Sequence, residues 1–184
     1  NGSDDCYTDI TQTTSGGTPP APPISGGDKT ICQANAIAAL TVQVGAGESA
    51  NWYNASGILV ASNTTTYTPG GAGTFSVESI NTSTECKSNT RISVTLTVNP
   101  NPIVTKPADQ TICSEKSTAA ITLTADVAAT TFAWTRDKTG EVTGMAAGGA
   151  GSIAAATLTN TTTVVQTVTF TVTPTSPQGC VGAS

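Results

Sequence analysis

The feature that most constrains this chain is an internal repeat. Asp28-Lys29-Thr30-Ile31-Cys32 returns as Asp109-Gln110-Thr111-Ile112-Cys113, 81 residues later. Ala38-Ala39-Leu40-Thr41-Val42 matches Ala119-Ala120-Ile121-Thr122-Leu123 at the same offset. Trp52 and Trp134 then correspond at 82, and Thr74-Phe75-Ser76-Val77 and Thr169-Phe170-Thr171-Val172 at 95. Cys86 and Cys180 close the series. Ordered self-similarity of this kind is the signature of a chain built from repeated structural units. The growth in offset predicts an insertion between Trp134 and Phe170, assigned to the Gly/Ala-rich stretch Gly144–Ala156.

The units read as all-β. Leu40, Val42 and Val44 alternate with polar or small residues, as do Ile92, Val94, Leu96 and Val98 with Ser93, Thr95 and Thr97. A strand sends successive side chains to opposite faces, so each series has one apolar face. In the second unit Ile121, Leu123, Ala125 and Val127 form one stripe, Phe132 and Trp134 another, and Val168, Phe170 and Val172 a third. Asn54-Ala55-Ser56-Gly57 and Pro69-Gly70-Gly71 mark turns. No segment carries a 3.6-residue apolar period, so no long helix is expected. Short alternating strands with frequent turns predict tandem immunoglobulin-like β-sandwich domains.

Asn99-Pro100-Asn101-Pro102 reads as a stiff connector, because proline removes donors and restrains its neighbour. Thr18-Pro19-Pro20-Ala21-Pro22-Pro23 reads as its equivalent. The expected organisation is a tail and linker at 1–22, a first domain at 23–99 and a second at 100–184. Both ends read as cut. Cys6 resembles Cys86 as the last cysteine of a preceding repeat, and the second unit lacks a counterpart of Ile92–Val98. The natural chain is expected to continue, or another segment to cover the open edge beside the Phe170 strand.

About a fifth of the residues are Thr and 10% are charged. Thr favours strands while offering a hydroxyl to water, so it can coat a sheet without charge. A net charge of −5 argues against phosphate-directed nucleic-acid binding. No apolar run approaches the roughly 20 residues of a membrane-spanning helix, so no membrane insertion is expected.

Five widely spaced cysteines and no histidine fit no zinc or redox motif. The repeat predicts disulfides Cys32–Cys86 and Cys113–Cys180, in an oxidising compartment, with Cys6 unpaired. Trp52 and Trp134 are read as core fillers rather than sugar-stacking platforms. Tyr53 must face away from Trp52, and with Tyr67 it is the candidate for ligand contact.

Without histidine the usual nucleophile–histidine arrangements cannot be built. Glu48, Glu78, Glu85, Glu115 and Glu141 are scattered over expected turns and solvent faces, so no paired-carboxylate catalyst is expected. Asp4, Asp5 and Asp9 could offer oxygens to calcium but fit no EF-hand spacing. They are read as a solvated tail, with no metal and no cofactor expected. Catalysis is not expected.

Thr30-Ile31-Cys32, Asn51-Trp52-Tyr53, Tyr67-Thr68-Pro69-Gly70, Gly73-Thr74-Phe75-Ser76-Val77 and Val94–Pro100 resemble the Ig-like repeats of giant Bacteroidetes cell-surface proteins, gliding-motility adhesins among them. Phe132-Ala133-Trp134 and Val168–Thr173, leading to Gly179-Cys180-Val181-Gly182, resemble the PKD-like repeats that accompany them. The resemblance implies secretion by the type IX system and display on the cell surface. It also implies a disulfide-stapled spacer role in an adhesive filament, with neighbouring repeats as partners. The competing expectation is a module that binds polysaccharide or an external surface.

Overall fold

The computed structural model describes residues 17–184, and the residues described contain strands and no helix. Cys6, Asp4, Asp5 and Asp9 lie outside the described residues. The chain divides into two compact units.

Unit 1 carries β1 (Ile24–Ser25), β2 (Lys29–Cys32), β3 (Leu40–Gln43), β4 (Glu48–Tyr53), β5 (Leu59–Ala61), β6 (Thr66–Tyr67), β7 (Gly73–Asn81) and β8 (Ile92–Asn99). One sheet has the order β2-β8-β7-β4-β5 and the other β1-β3-β6. The alternation read from sequence supplies the core between them. Leu40 and Val42 come from β3, Ala50 and Trp52 from β4, Phe75 and Val77 from β7, and Val94 and Leu96 from β8. Burying each large apolar side chain contributes roughly 1.5–3 kcal/mol. The register fixes the layers: Trp52 lies opposite Val77, and Phe75 opposite Val94. On the outer face the Thr74 and Thr95 hydroxyls meet at 3.2 Å. The β4–β5 turn is set by Asn54, whose side-chain oxygen accepts from the N–H groups of Ser56 and Ile58, and by Gly57 at φ 76°. A positive φ there suits glycine.

Unit 2 carries β9 (Val104–Thr105), β10 (Lys116–Ser117), β11 (Thr124–Ala125), β12 (Thr131–Arg136), β13 (Val142–Thr143), β14 (Gly148–Ala150), β15 (Thr157–Asn160) and β16 (Phe170–Thr175). Its sheets are β14-β12-β16, β10-β15-β13 and β11-β9. Leu123, Trp134 and Ile153 form its buried centre, with Phe132, Phe170 and Val172 packed at the margin.

The expected single insertion is two. Ala61 pairs with Trp52 in unit 1 and Gly149 with Trp134 in unit 2, an offset of 88. Part of the added length therefore lies before β14, in the Asp137–Ala147 excursion that includes β13. The rest lies between β14 and β16. Sequence placed all of it on the glycines, but Gly148 and Gly149 are strand residues paired with β12. Gly149 is required by contact: a Cβ there would stand 2.7 Å from the Trp134 ring.

Candidate functional site

The side chains singled out from sequence fall into two groups, the cysteines and the aromatics. The expected cysteine pairing is corrected by the structure, which joins Cys32 to Cys180. The two cysteines meet beside one backbone carbonyl. Cys32 ends β2, and the next N–H, that of Gln33, donates to the carbonyl of Asn99 at 2.8 Å. The Sγ of Cys180 lies 3.9 Å from the same carbonyl, so the two cysteines converge there. Cys32–Ala34 group with unit 2. Among the described residues Cys86 and Cys113 have no disulfide partner, the first buried and the second exposed. The repeat had suggested pairing within each unit, because matching landmarks say nothing about which strand end faces which.

Trp52 is fully buried, and its indole N–H donates to the carbonyl of Thr64 at 2.9 Å. Trp134 is 7% exposed, packs edge-on to Phe170, and its indole N–H finds no acceptor. Tyr67 stacks between Trp52 and Phe75, with ring centroids 5.7 and 5.1 Å away, at the margin of the unit 1 core. Tyr53 faces away from the core as alternation requires, yet it is 7% exposed. The expectation of a surface-facing Tyr53 therefore does not match its position.

What covers Tyr53 is a polar cluster that sequence reasoning missed. Its hydroxyl donates to Glu78 Oε1, Lys87 Nζ lies 3.2 Å from the same oxygen, and Arg91 Nε donates to Oε2 at 2.7 Å. The Arg91 guanidinium also sits 3.5 Å above the Tyr53 ring centre, a cation–π contact. Glu78, expected on a solvent face or turn, is 4% exposed. Burial works against its charge, but hydrogen bonds from Tyr53, Arg91 and Lys87 outweigh that and hold its carboxyl below the ordinary value. Burial, reinforced by the Glu78 hydrogen bond, raises the Tyr53 hydroxyl above its ordinary value. The bond to Glu78 raises Lys87 in the same way. A carboxylate that resists protonation and a phenol that resists ionisation make a poor acid–base pair near neutrality. The cluster is a lock on the outer face of the sheet. Its sequence signal was weak: Glu78 falls near Tyr53 only because β4 and β7 pair Asn51 with Glu78.

In unit 2, Arg136 is buried without a carboxylate. Its guanidinium donates to the carbonyls of Ala146 and Met145 at 3.0 and 2.7 Å, and more weakly to those of Asp137 and Lys138. Arg136 thereby ties down the base of the inserted excursion. Among the described residues no group of three or more metal-ligating side chains comes together.

Residues 19–100 match the family described as Ig-like domain, CHU_C associated, and residues 110–184 match the family described as PKD-like domain. No curated protein matches. Among solved structures, a titin I-band fragment, I67–I69, is similar at 12% identity and a TM-score of 0.43, over 88% of this chain and 64% of that one. The IG1+IG2 region of DIP-gamma is similar at 15% identity and a TM-score of 0.41, over 87% and 93%. The chain thus spans just under two thirds of the titin fragment. It carries an Ig-like repeat module in which an Ig-like stretch is followed by a PKD-like one, with a single disulfide among the described residues.

Proposed function

We propose that this chain is a structural segment of a secreted, surface-displayed adhesin, a disulfide-stapled spacer that carries load and holds adhesive parts away from the cell. The observation that carries this reading is the Cys32–Cys180 bridge, which spans 148 residues of sequence. Under tension the intact bridge limits how far the chain can be drawn out, because the residues it closes cannot be extended while it holds. Persisting disulfides also fit an oxidising, extracellular setting. The polar groups with chemical character are consumed internally: Glu78 by three donors, Arg136 by carbonyls, Tyr67 by ring packing. Surface filaments of gliding bacteria, built from such repeats, are the setting this reading favours.

Single-molecule stretching tests it. With the bridge intact, pulling from the termini should release little length. After reduction the same pull should release about 500 Å more, at roughly 3.3–3.6 Å per residue. Equal extension before and after reduction would remove the spacer argument. Saturable binding to a glycan array, abolished by Tyr67→Ala in a folded protein, would favour the sugar-binding reading instead.

A further inference from the structure

The two bridged cysteines are also held by hydrogen bonds that involve no sulfur. On one side, the Cys180 N–H donates to Ser176 Oγ at 3.1 Å, and the Cys180 carbonyl accepts from the Ser176 N–H at 2.9 Å. Val181 bridges to Thr175, and the Gly182 N–H donates to the carbonyl of Pro174 at 2.9 Å. The Cys180 loop is therefore fixed to the end of β16 whether or not the sulfurs are joined. On the other side, β2 ends at Cys32, and Gln33 and Ala34 are exposed. Their side chains bury too little to hold this segment in place.

The Pro-flanked connector supplies what is missing. The Asn101 Oδ1 accepts from the Ala34 N–H at 2.9 Å, and its Nδ2 donates to the carbonyl of Val181. Ala34 stands two residues after Cys32, and Val181 one residue after Cys180. One side chain thus ties the two cysteine-bearing segments to each other. The chemistry is specific to an amide, which carries an acceptor and a donor at one end group. A carboxylate would turn an acceptor on the Val181 carbonyl, and an aliphatic side chain would serve neither partner. Pro102 restrains the Asn101 backbone, and its own side chain is fully buried. A Cβ on Gly182 would collide with the Pro102 carbonyl oxygen, so the connector and the Cys180 loop are packed backbone to backbone. All of these residues belong to unit 2.

We propose that Asn101 is a latch for the disulfide: it holds the Cys32 and Cys180 segments together when the bridge is open, so that the pair closes again by thiol–disulfide exchange. With oxidised glutathione as oxidant, one cysteine thiolate displaces a glutathione thiolate and forms a mixed disulfide. The other cysteine then displaces the second glutathione. Two protein thiols and one glutathione disulfide become one protein disulfide and two glutathione thiols. Asn101 touches no sulfur. It is a positioning residue that acts on the second displacement by keeping the attacking thiol beside its target. The latch rests on the Cys32–Cys180 connectivity and not on the spacer reading.

The test equilibrates the full chain with reduced and oxidised glutathione, quenches in acid, and counts the Cys32–Cys180 linked peptide. Asn101→Ala removes two hydrogen bonds and should lower the equilibrium constant for closure roughly tenfold. Asn101→Asp keeps an acceptor for Ala34 but no donor for Val181. It should lower the constant nearly as far while the Ala34 amide stays protected from hydrogen exchange. In Cys32→Ser with Cys180→Ser no bridge can form, and adding Asn101→Ala should speed exchange at Ala34 at least tenfold. A closure constant unchanged by Asn101→Ala would overturn the latch. Exchange at Ala34 that is equally fast with and without Asn101 in the serine pair would do the same, because the segments would then part once the bridge opens. The Thr131–Arg136 amides report whether unit 2 stays folded. If Asn101→Ala loosens them, Asn101→Asp decides, and a wild-type closure constant in that variant overturns the latch.

Discussion

Units 1 and 2 place a tryptophan at matching points of one repeat, and they surround it differently. Trp52 sits in a cluster of eight buried residues, drawn from four strands, with its N–H bonded and Tyr67 against its ring. Trp134 has two buried companions, Leu123 and Ile153, and an N–H without an acceptor. The two neighbours that build the difference are β8, which brings Val94 and Leu96, and β6, which brings Tyr67. Unit 2 substitutes other devices: a glycine under the indole, an arginine binding four carbonyls, and the disulfide. A repeat can thus keep the position of its central residue while changing what holds it. Apolar burial dominates in unit 1, and covalent and polar fastening in unit 2.

The largest break in this comparison should come from the bridge. A closed loop of this size stabilises by about 5 kcal/mol on the chain-entropy argument, before any strain. Cys32→Ser with Cys180→Ser should lower the denaturant midpoint of unit 2 most. Unit 1, followed through the Trp52 environment, should change far less. Peptide mapping without reduction should recover Cys32 linked to Cys180. Recovery of Cys32 with Cys86, and Cys113 with Cys180, would restore the pairing expected from sequence and invalidate the contrast drawn between the units.

A smaller effect separates the two tryptophan floors. Gly149→Ala puts a methyl within 2.7 Å of the Trp134 ring and should cost about 1–3 kcal/mol, the usual penalty for overpacking. The matching residue in unit 1 is already alanine, and Ala61→Gly should cost no more than about 1 kcal/mol, through backbone entropy. Thermal unfolding of both variants checks this. Equal costs would mean that the glycine is not what lets Trp134 approach the sheet.

The strands were legible because their signal is local. Leu40–Gln43, Phe75–Val77 and Ile92–Val98 announce themselves by period-two alternation, and the burial of Trp52 follows from its place in that pattern. What stayed hidden depends on register and on the approach of distant strand ends. Nothing local distinguishes Glu78 from Glu48, yet pairing of β4 with β7 delivers Glu78 to Tyr53 and Arg91. The Cys32–Cys180 bridge joins strand ends that meet near the Asn99 carbonyl, a meeting that no side-chain pattern could mark. The insertion was assigned to the Gly144–Ala156 stretch, yet Gly148 and Gly149 pair with β12, and the Trp134 ring leaves no room for a Cβ at Gly149.

The smallest effect tests the polar lock, which unit 1 has in addition to its larger core. The Glu78 carboxyl is held below its ordinary value in the folded state. As pH falls, the unfolded chain therefore takes up this proton first, and the folded state takes it up only at lower pH. The stabilisation is complete above the ordinary carboxylate value and is lost as pH falls through the depressed folded one. Tyr53 and Lys87, both raised, behave oppositely: their contribution is present below their ordinary values and is lost as pH rises through the raised ones. Glu78→Gln should flatten the acid side of the unit 1 stability profile. At neutral pH it should cost only about 1 kcal/mol, because Lys87 and Arg91 are 52% and 39% exposed and water screens them. Equilibrium unfolding between pH 2 and pH 7, monitored at Trp52, separates the two effects. An unchanged acid slope in Glu78→Gln would show that the cluster packs the outer face of the sheet without contributing to its charge-dependent stability.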